Sequence, residues 1–350
     1  MFVVYHSSNA FAGVTGVSML SLFENNKYME SIHVLYIEKG MTDENKNRLR
    51  SIANQYGRTL EFMTMPNWSE ELNIELKSCK DGWLGFGYNR LFLTEYIPNN
   101  VDRVLYLDSD TIIEGSLDEL WKTDVEDWYL AGVDDCLSSN YRDICEIGAN
   151  STYVNAGMLL INLKKWREEN VIQKFTKYVT DNNGYFVFNE QSILNSIFSG
   201  KIKILPQEYN VNSLVYLFEY DELMRLRNPR DFSYTKDEFY NARKNPIITH
   251  FTGNFLVARR PWVENSDHPR ADVYLRYHQL TPWANQPLMP CKKNKGSHNT
   301  NLCKKLPRRT MIFLVRILYN DLRPKVFKYQ LSKQRADKYK SKYSLTKGTF

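Results

Sequence analysis

The sequence predicts an α/β protein built on one mainly parallel sheet and followed by a basic helical tail. Over the first hundred residues, short apolar runs alternate with amphipathic helical patterns, as a parallel sheet requires. No stretch rich in Pro, Gly or Ser interrupts this region, so we expect a single domain over residues 1–285. Lysine and arginine concentrate after it, in a tail that we assign to residues 286–350.

The elements of the domain follow one another along the chain. Apolar runs predict strands at residues 2–5, 32–37, 60–63, 104–107, 128–133, 153–162 and 247–251. Helical periodicity predicts helices at 15–24, after a cap at Asp43, at 83–96, at 116–121, from 163 to about 179 and from 189 onward. Gly157 lies inside one of these strands, where it allows another group to approach the backbone closely.

The stretch around Asp108 and Asp110 carries the first chemical signal. Four apolar residues, Val104–Leu107, predict a strand buried on both faces, and the two carboxylates follow at its carboxyl end, where open α/β sheets bind ligands. Side chains two apart on an extended segment point the same way, and two hard oxygen ligands suit Mg²⁺ or Mn²⁺. Three interpretations remain open at this stage: local capping aspartates, a metal on a sugar-nucleotide diphosphate, or a haloacid-dehalogenase-type phosphatase.

Charge is segregated along the chain. Residues 291–350 contain 17 Lys and Arg against 2 Asp and Glu, which leaves 29 Lys and Arg against 38 Asp and Glu for residues 1–290. A domain that binds nucleic acid carries positive charge on its binding face, so an acidic body predicts no nucleic-acid partner. The odd number of cysteines and a strand at the first residues predict free thiols, no signal peptide and a cytoplasmic location.

Four sequence blocks together resemble glycosyltransferase family 8, which includes the bacterial lipopolysaccharide galactosyltransferases and glycogenin. The blocks occur in the family's order, within about residues 1–285, and read Leu105-Tyr-Leu-Asp-Ser-Asp110, Asn155-Ala-Gly-Met-Leu-Leu-Ile-Asn-Leu-Lys-Lys-Trp166, Asn189-Glu-Gln-Ser-Ile-Leu-Asn195 and His250-Phe followed by Arg260-Pro-Trp262. The resemblance implies a GT-A fold, a single Rossmann-like domain that binds a nucleotide sugar. It also implies retaining transfer of a hexose, galactose or glucose, from a UDP-sugar to a surface-glycan acceptor, whether lipid-linked or on protein.

The resemblance assigns Asp108, Asp110 and His250 as Mn²⁺ ligands. An imidazole beside two carboxylates favours Mn²⁺ over Mg²⁺ by ligand type, although Mg²⁺ is possible. Without the resemblance, a lone histidine at a strand end is more often a satisfied core residue.

The resemblance also assigns residues around the donor. Glu190, Gln191 and Asp135 match positions near the anomeric carbon and the donor sugar, and we predict them as the catalytic group. The predicted substrate-binding residues, including the metal ligands, are His6, Ser8, Asn9, Arg90, Asp108, Ser109, Asp110, Asn155, Ala156, Gly157, His250, Gly253 and Arg260. Arg259 is an equal rival of Arg260 for the diphosphate.

One departure from the family concerns the end of the first strand. The family usually has an aspartate there that helps to hold the nucleoside, whereas this chain reads His6-Ser7-Ser8-Asn9. For the chemistry we favour attack on the leaving-group face, in which a donor phosphate oxygen takes the acceptor's proton and Gln191 stabilises the cationic sugar, because an amide is a poor nucleophile.

Two other functions are alternatives to glycosyl transfer. A phosphatase of the haloacid-dehalogenase type has its Asp-x-Asp on the first strand of its core, whereas three strands precede Asp108 here. A carbohydrate-binding protein without catalysis has no need of the metal ligands, and UDP release with Mn²⁺ separates it from an enzyme.

The tail contains an amphipathic helical pattern over about residues 306–322, flanked by Arg308, Arg309, Arg316 and Arg323. Its apolar run is shorter than the roughly 20 residues that span a bilayer. We predict that it lies on the anionic inner face of the cell membrane, so that truncation after about residue 290 releases the enzyme while sparing UDP-sugar hydrolysis. The alternative is a solvated tail with one helix packed on the body.

Overall fold

The computed structural model describes residues 1–64, 87–182, 184–253, 259–291 and 305–333. Among these residues, seven strands form a sheet in the order β3-β2-β1-β4-β7-β6-β8, and three form a second sheet in the order β5-β10-β9. The strands are β1 (Phe2–Ser8), β2 (His33–Lys39), β3 (Thr59–Thr64), β4 (Arg103–Leu107), β5 (Thr111–Ile113), β6 (Leu130–Asp134), β7 (Val154–Asn162), β8 (Ile202–Ile204), β9 (Val211–Asn212) and β10 (Ile248–His250).

The helices between the strands are mostly short. The α-helices are α1 (Ala12–Asn25), α2 (Asp43–Gln55), α3 (Leu93–Tyr96), α4 (Asp118–Lys122), α5 (Ser139–Ile144), α6 (Leu163–Glu168), α7 (Val171–Asp181), α8 (Asn189–Ile197), α9 (Ser213–Leu217), α10 (Tyr220–Arg227), α11 (Lys236–Lys244), α12 (Ala271–His278) and α13 (Arg308–Arg316). Single 3₁₀ turns cover Asn9–Phe11, Tyr88–Phe92 and Gln207–Asn210.

Strands β1 to β4 form the predicted parallel half of the sheet. β1 pairs in parallel with β2 and β4, and β2 pairs in parallel with β3. The chain extends from β1 through β2 to β3 on one side and then returns to add β4 on the other. The strand order therefore reverses between β1 and β4, which is where open α/β sheets form a ligand crevice.

The apolar run at the centre of the sheet is buried on both faces, as predicted. Leu105 and Leu107 belong to one core cluster with α1 and α2, whereas Val104 and Tyr106 belong to another on the opposite face. All four side chains are fully buried. This alternation follows from the two-residue period of a strand.

Several elements differ from the sequence prediction. β7 runs antiparallel to both of its neighbours, β4 and β6, so the sheet is mixed. Thr42, and not Asp43, caps α2, because its side chain accepts a hydrogen bond from the Asn45 N–H. The helix predicted at 83–96 is a 3₁₀ turn followed by α3 within its described part, and residues 83–86 lie outside the described residues.

The described part of the tail packs on the body. It consists of α13, a π-helical segment at Ile317–Leu322 and a helical stretch at 323–333. Met311 and Ile312 are buried in a cluster with Leu223, Leu226 and Phe239. No helix in the described ranges is long and apolar enough to span a bilayer.

Candidate active site

A cleft opens at the carboxyl ends of β1 and β4, at the predicted crevice. Eight of the predicted site residues line it, together with Ser7, Phe11, Gly87 and Asn189. Those eight are His6, Ser8, Arg90, Asp108, Ser109, Asp110, Glu190 and Arg260.

Asp108, Asp110 and His250 converge at one wall of the cleft. One ligand atom from each lies within 4.8 Å of the other two. The His250 Nε2 atom is 3.3 Å from Asp110 Oδ1 and 3.9 Å from Asp108 Oδ2. Two carboxylate oxygens and one imidazole nitrogen at this spacing can bind a divalent cation.

The second sheet brings these three residues together. β10 pairs antiparallel with β5, with His250 opposite Thr111, so the imidazole lies beside Asp110. The two aspartates occupy the turn between β4 and β5, and the turn, not strand alternation as we predicted, directs their side chains. Gly157 lies against the His250 ring, and a Cβ atom there would overlap it, which explains the glycine.

Asn210 orients His250, and the sequence analysis missed it. His250 Nδ1 is 3.0 Å from Asn210 Oδ1, which is only an acceptor, so Nδ1 carries the proton and Nε2 is left to face the space between the two carboxylates. Burial lowers the pKa of His250, but Asp110 and Asp108 outweigh burial and raise it overall. The pair of carboxylates therefore attracts positive charge to this point, as a cation site does.

Arg260 faces the cleft, whereas Arg259 faces its own loop. Arg260 Nη1 is 2.7 Å from Asp110 Oδ2, and its guanidinium stacks over Trp262. Arg259 instead donates from its backbone N–H to Asp267 and from its side chain to the Asn265 carbonyl. The sequence could not rank Arg259 and Arg260 as ligands of the diphosphate, and the structure shows that their side chains lie in different surroundings. Asp108, Asp110, His250 and Arg260 are called the metal side of the cleft below.

Arg90 is buried, and carboxylates surround it. Its Nη2 lies 2.9 Å from Asp108 Oδ1 and 3.6 Å from Glu190 Oε1, while the guanidinium stacks on Tyr106 with its carbon 4.3 Å from the ring centre. Burial raises the pKa of Glu190 despite the nearby Arg90. A Cβ atom at Gly87 would overlap the Glu190 carboxylate, so the glycine makes room for it.

Neutral amides surround a second carboxylate, that of Asp135. Gln191 donates from Nε2 to Asp135 Oδ2 at 3.2 Å, and its Oε1 accepts from the Ala156 N–H at 2.9 Å. Asn155 donates to Asp135 Oδ1 at 3.0 Å. Burial raises the pKa of Asp135. Asp135, Asn155 and Gln191 are called the amide side below, and Asn210 joins the two sides because its Nδ2 donates to Asn155 Oδ1 at 3.0 Å.

The family model for glycosyltransferase family 8 matches residues 2–266, most of the chain and all of the cleft described above. The chain belongs to glycosyltransferase family 8. It is therefore an enzyme, with a nucleotide sugar as donor and a glycan as acceptor, and the predicted family is confirmed. Neither the phosphatase nor the non-catalytic interpretation is favoured.

Individual relatives agree with this family. A lipopolysaccharide 1,2-glucosyltransferase of Escherichia coli is 28% identical over 292 residues, covering 81% of this chain and 78% of that protein. General stress protein A of Bacillus subtilis is 24% identical, covering 81% of this chain and 94% of its own length. The crystal structure of the galactosyltransferase LgtC with donor and acceptor sugar analogs gives a TM-score of 0.66 at 24% identity, covering 81% of this chain and 99% of that one. This last similarity shows the fold, which is of the GT-A type as predicted.

The end of β1 and the turn after it depart from the family pattern, and their residues divide into two groups. His6 contacts the Tyr106 hydroxyl, and its backbone carbonyl accepts from Ser109 Oγ at 2.9 Å, so both residues are fixed at the cleft. Burial lowers the pKa of His6 to about 3, which keeps the ring neutral. Asn9 has its Oδ1 engaged with Thr42 and Asn45 and ties the loop to α2.

Two further predicted residues, Ala156 and Gly253, each lie next to an arginine of the cleft. Ala156 uses its carbonyl to accept from Arg90 and its N–H to donate to Gln191. Gly253 lies beside Arg260, with the nearest guanidinium nitrogen 3.4 Å from a Cβ built on the glycine. The one sequence signal for Asn210 is its position as a polar residue between Tyr209 and Val211.

Proposed function

We propose that this enzyme transfers a hexose, glucose or galactose, from a UDP-sugar to a surface-glycan acceptor with retention of configuration, using Mn²⁺. The observation that carries the proposal is the convergence of Asp108, Asp110 and His250 on one point, with Arg260 directly beside it. A set of two oxygens and one imidazole nitrogen favours Mn²⁺ over Mg²⁺. The relatives' names support the hexose and the surface glycan, since lipopolysaccharide glucosyl- and galactosyltransferases are among them.

The metal side would stabilise the leaving group. Breaking the bond between the anomeric carbon and the diphosphate leaves negative charge on phosphate oxygens. A divalent cation held by Asp108, Asp110 and His250 would neutralise part of that charge when bound. Arg260, 38% exposed and held by Asp110, provides a fixed guanidinium for the same oxygens. Fixed charges at the point where charge develops lower the barrier most.

The amide side would orient the sugar. The Gln191 amide is held at both ends, because its oxygen accepts from Ala156 and its nitrogen donates to Asp135. An amide oxygen already engaged in a hydrogen bond is a still poorer nucleophile, which supports attack by the acceptor on the leaving-group face. Gln191 and Asp135 then stabilise the positive charge on the sugar, and a donor phosphate oxygen takes the acceptor's proton.

Release of UDP tests this function directly. The wild-type protein is incubated with UDP-glucose, UDP-galactose and other UDP-sugars, each with Mn²⁺, Mg²⁺ or a chelator, and free UDP is measured. We expect release from one UDP-hexose in preference to the others, highest with Mn²⁺ and absent with the chelator. Equal release with the chelator would contradict the metal assignment, and no release from any UDP-hexose would contradict the reaction.

We further propose that the tail holds the enzyme on the anionic cytoplasmic face of the membrane. Leu314, Leu318, Leu322 and Val326 recur at intervals of four residues, and all are exposed. Exposed Arg316, Lys325 and Lys328 flank them. An apolar stripe with cationic edges suits an interface of anionic lipid.

The truncation that the sequence suggested is not a clean test of the tail. Removing residues after 290 would remove Met311 and Ile312 from the core cluster and uncover Leu223 and Phe239. Substitutions on the exposed face avoid this problem. We expect the double variant Leu318→Gln/Leu322→Gln to lose most of its sedimentation with anionic vesicles at low salt.

Leu280→Gln is the matched control for that experiment. Leu280 and Leu318 are both 58% exposed, but Leu280 lies on the body, at the end of α12. The control should sediment like the wild type. Equal sedimentation of the double variant and the wild type would refute attachment through this stripe.

A further inference from the structure

The junction between tail and body holds two arginines on one aromatic ring. The guanidinium carbon of Arg227, at the end of α10, lies 4.9 Å from the centre of the Tyr319 ring, and that of Arg323 lies 5.2 Å from the same centre. Neither arginine forms an ion pair with a carboxylate in the described ranges of the chain. Asn320 fixes this junction, because its side-chain amide donates to the Arg227 carbonyl at 3.1 Å.

Two buried hydroxyls at the same junction have no partner at hydrogen-bond distance among the described residues. They belong to Ser138 and Tyr141, which are 1% and 0% exposed. The Tyr141 ring contacts the Tyr319 ring, and burial raises the pKa of Tyr141 overall. Arg323 lowers that pKa by its charge and as a nearby donor to the hydroxyl, and Arg227 lowers it by its charge. Buried hydroxyls without partners are rare in proteins, so these two point to a ligand or solvent that completes them.

This cluster adjoins the amide side of the cleft. Tyr153, whose hydroxyl accepts from Gln191 Nε2 at 3.2 Å, belongs to one hydrophobic cluster with Tyr141, and Tyr319 packs against that cluster. Arg227 is half-buried, and burial lowers its pKa, but Tyr319 and Asp135 raise it overall. Asp135 in turn accepts from Gln191, beside the predicted reacting carbon. The metal side, with Arg260, suits the donor diphosphate. The charge at Arg227 and Arg323 is therefore placed to meet a different anion from the donor's.

We propose that Arg227 and Arg323 bind a phosphate group on the acceptor, with the hydroxyls of Tyr141 and Ser138 as further donors. This inference rests on the proposed function, since it assigns a class of acceptor to the same cleft. Two guanidinium groups and two hydroxyls offer enough donors for the oxygens of one phosphate, and guanidinium is the side chain best suited to it. The phosphate belongs either to a lipid carrier or to a phosphorylated sugar of the glycan.

Calorimetric titration of the full-length protein tests the site. Saturating UDP and Mn²⁺ first fill the donor side, and farnesyl phosphate or glucose 6-phosphate is then added, with farnesol and glucose as uncharged counterparts. We expect a phosphate-bearing probe to bind and its counterpart to bind at least about tenfold more weakly. Tighter binding of farnesyl phosphate supports a lipid-linked acceptor, and tighter binding of glucose 6-phosphate supports a phosphorylated sugar.

Variants locate the bound phosphate. Arg227→Gln and Arg323→Gln should each weaken the phosphate probe about tenfold or more. Arg309→Gln removes an exposed cation of α13 that does not contact Tyr319, and it should bind like the wild type. Because Arg323 is exposed, its variant should keep the melting temperature of the wild type even if Arg227→Gln does not.

Two results would overturn the site. One is wild-type affinity for the phosphate probes in Arg323→Gln, and the other is no binding of either phosphate by the wild type. Both are distinguishable from failure of the proposed function, which would appear as no UDP release from any UDP-hexose by the wild-type enzyme.

Discussion

The metal side and the amide side of the cleft are held by different kinds of interaction. On the metal side, Arg260 and His250 pair with Asp110, and Arg90 pairs with Asp108, so charged groups balance one another. On the amide side, Asn155 and Gln191 donate neutral hydrogen bonds to a single carboxylate, Asp135. Charge pairs respond to ions and pH, whereas hydrogen bonds between fixed amides mainly set direction. We therefore expect the metal side to act on substrate charge and the amide side on substrate orientation, with Asn210 linking the two groups.

The largest effect should come from the metal side. We expect Asp110→Ala to lower the rate of UDP release by on the order of a thousandfold, because losing a metal ligand removes several kcal/mol of transition-state stabilisation. The variant also loses the partner of Arg260 and His250. Turnover at saturating donor is the measurement, and the melting temperature is the check on folding. Wild-type turnover in this variant would remove Asp110 from the metal site.

A second pair of variants tests which of the neighbouring residues Arg259 and Arg260 acts on the diphosphate. We expect Arg260→Ala to lower the rate about a hundredfold, as for loss of one preorganised donor at the developing charge. Arg259→Ala is the matched control and should stay close to the wild type, because Arg259 contacts only its own loop in the described structure. The reverse ranking would mean that Arg259 is the residue that faces the diphosphate.

Asn210 contacts both the metal side and the amide side, so substitutions there test how the two sides depend on each other. Asn210→Ala removes the acceptor of His250 Nδ1 and the donor to Asn155 at once. Loss of such a supporting hydrogen bond to a metal-binding histidine typically lowers metal affinity 10- to 100-fold, and we expect about this loss. Activity measured against Mn²⁺ concentration should shift to higher concentrations and recover in excess metal.

Asn210→Asp is the informative companion, since it keeps an acceptor for His250 and loses the donor to Asn155. It should retain most of the metal affinity. If Asn210→Ala and the wild type show the same dependence on Mn²⁺, the imidazole does not need this orientation.

The smallest effect concerns the pH dependence of metal binding. The folded protein raises the pKa of His250 above its ordinary value of 6.5, and protonated imidazole cannot bind a metal. Metal affinity should therefore be full above the raised pKa and fall as the pH drops through it. Below that pKa, each further drop of one pH unit should lower the affinity for Mn²⁺ about tenfold. Titration with Mn²⁺ at a series of pH values measures this, and a pH-independent affinity would exclude His250 as a ligand.

Local sequence patterns encode part of this architecture. The buried run at Val104–Leu107, the parallel half of the sheet and the membership of glycosyltransferase family 8 were all predicted and are confirmed. Burial of one face repeats apolar residues at a regular spacing along each strand and helix, and the family's sequence blocks keep their order. These features can therefore be recognised without knowing which segments contact one another. Helix ends and short strands such as β5 and β9 give too few residues for a period to appear.

Which side chains meet depends on how distant segments pack together. His250 reaches Asp110 through the antiparallel pairing of β10 with β5, Arg260 and not Arg259 turns into the cleft, and Asn210 joins the metal side to the amide side. Tyr319 of the tail reaches Arg227 of the body in the same way. Each of these contacts depends on strand register, turn geometry and packing between segments distant in sequence, and no local period encodes them.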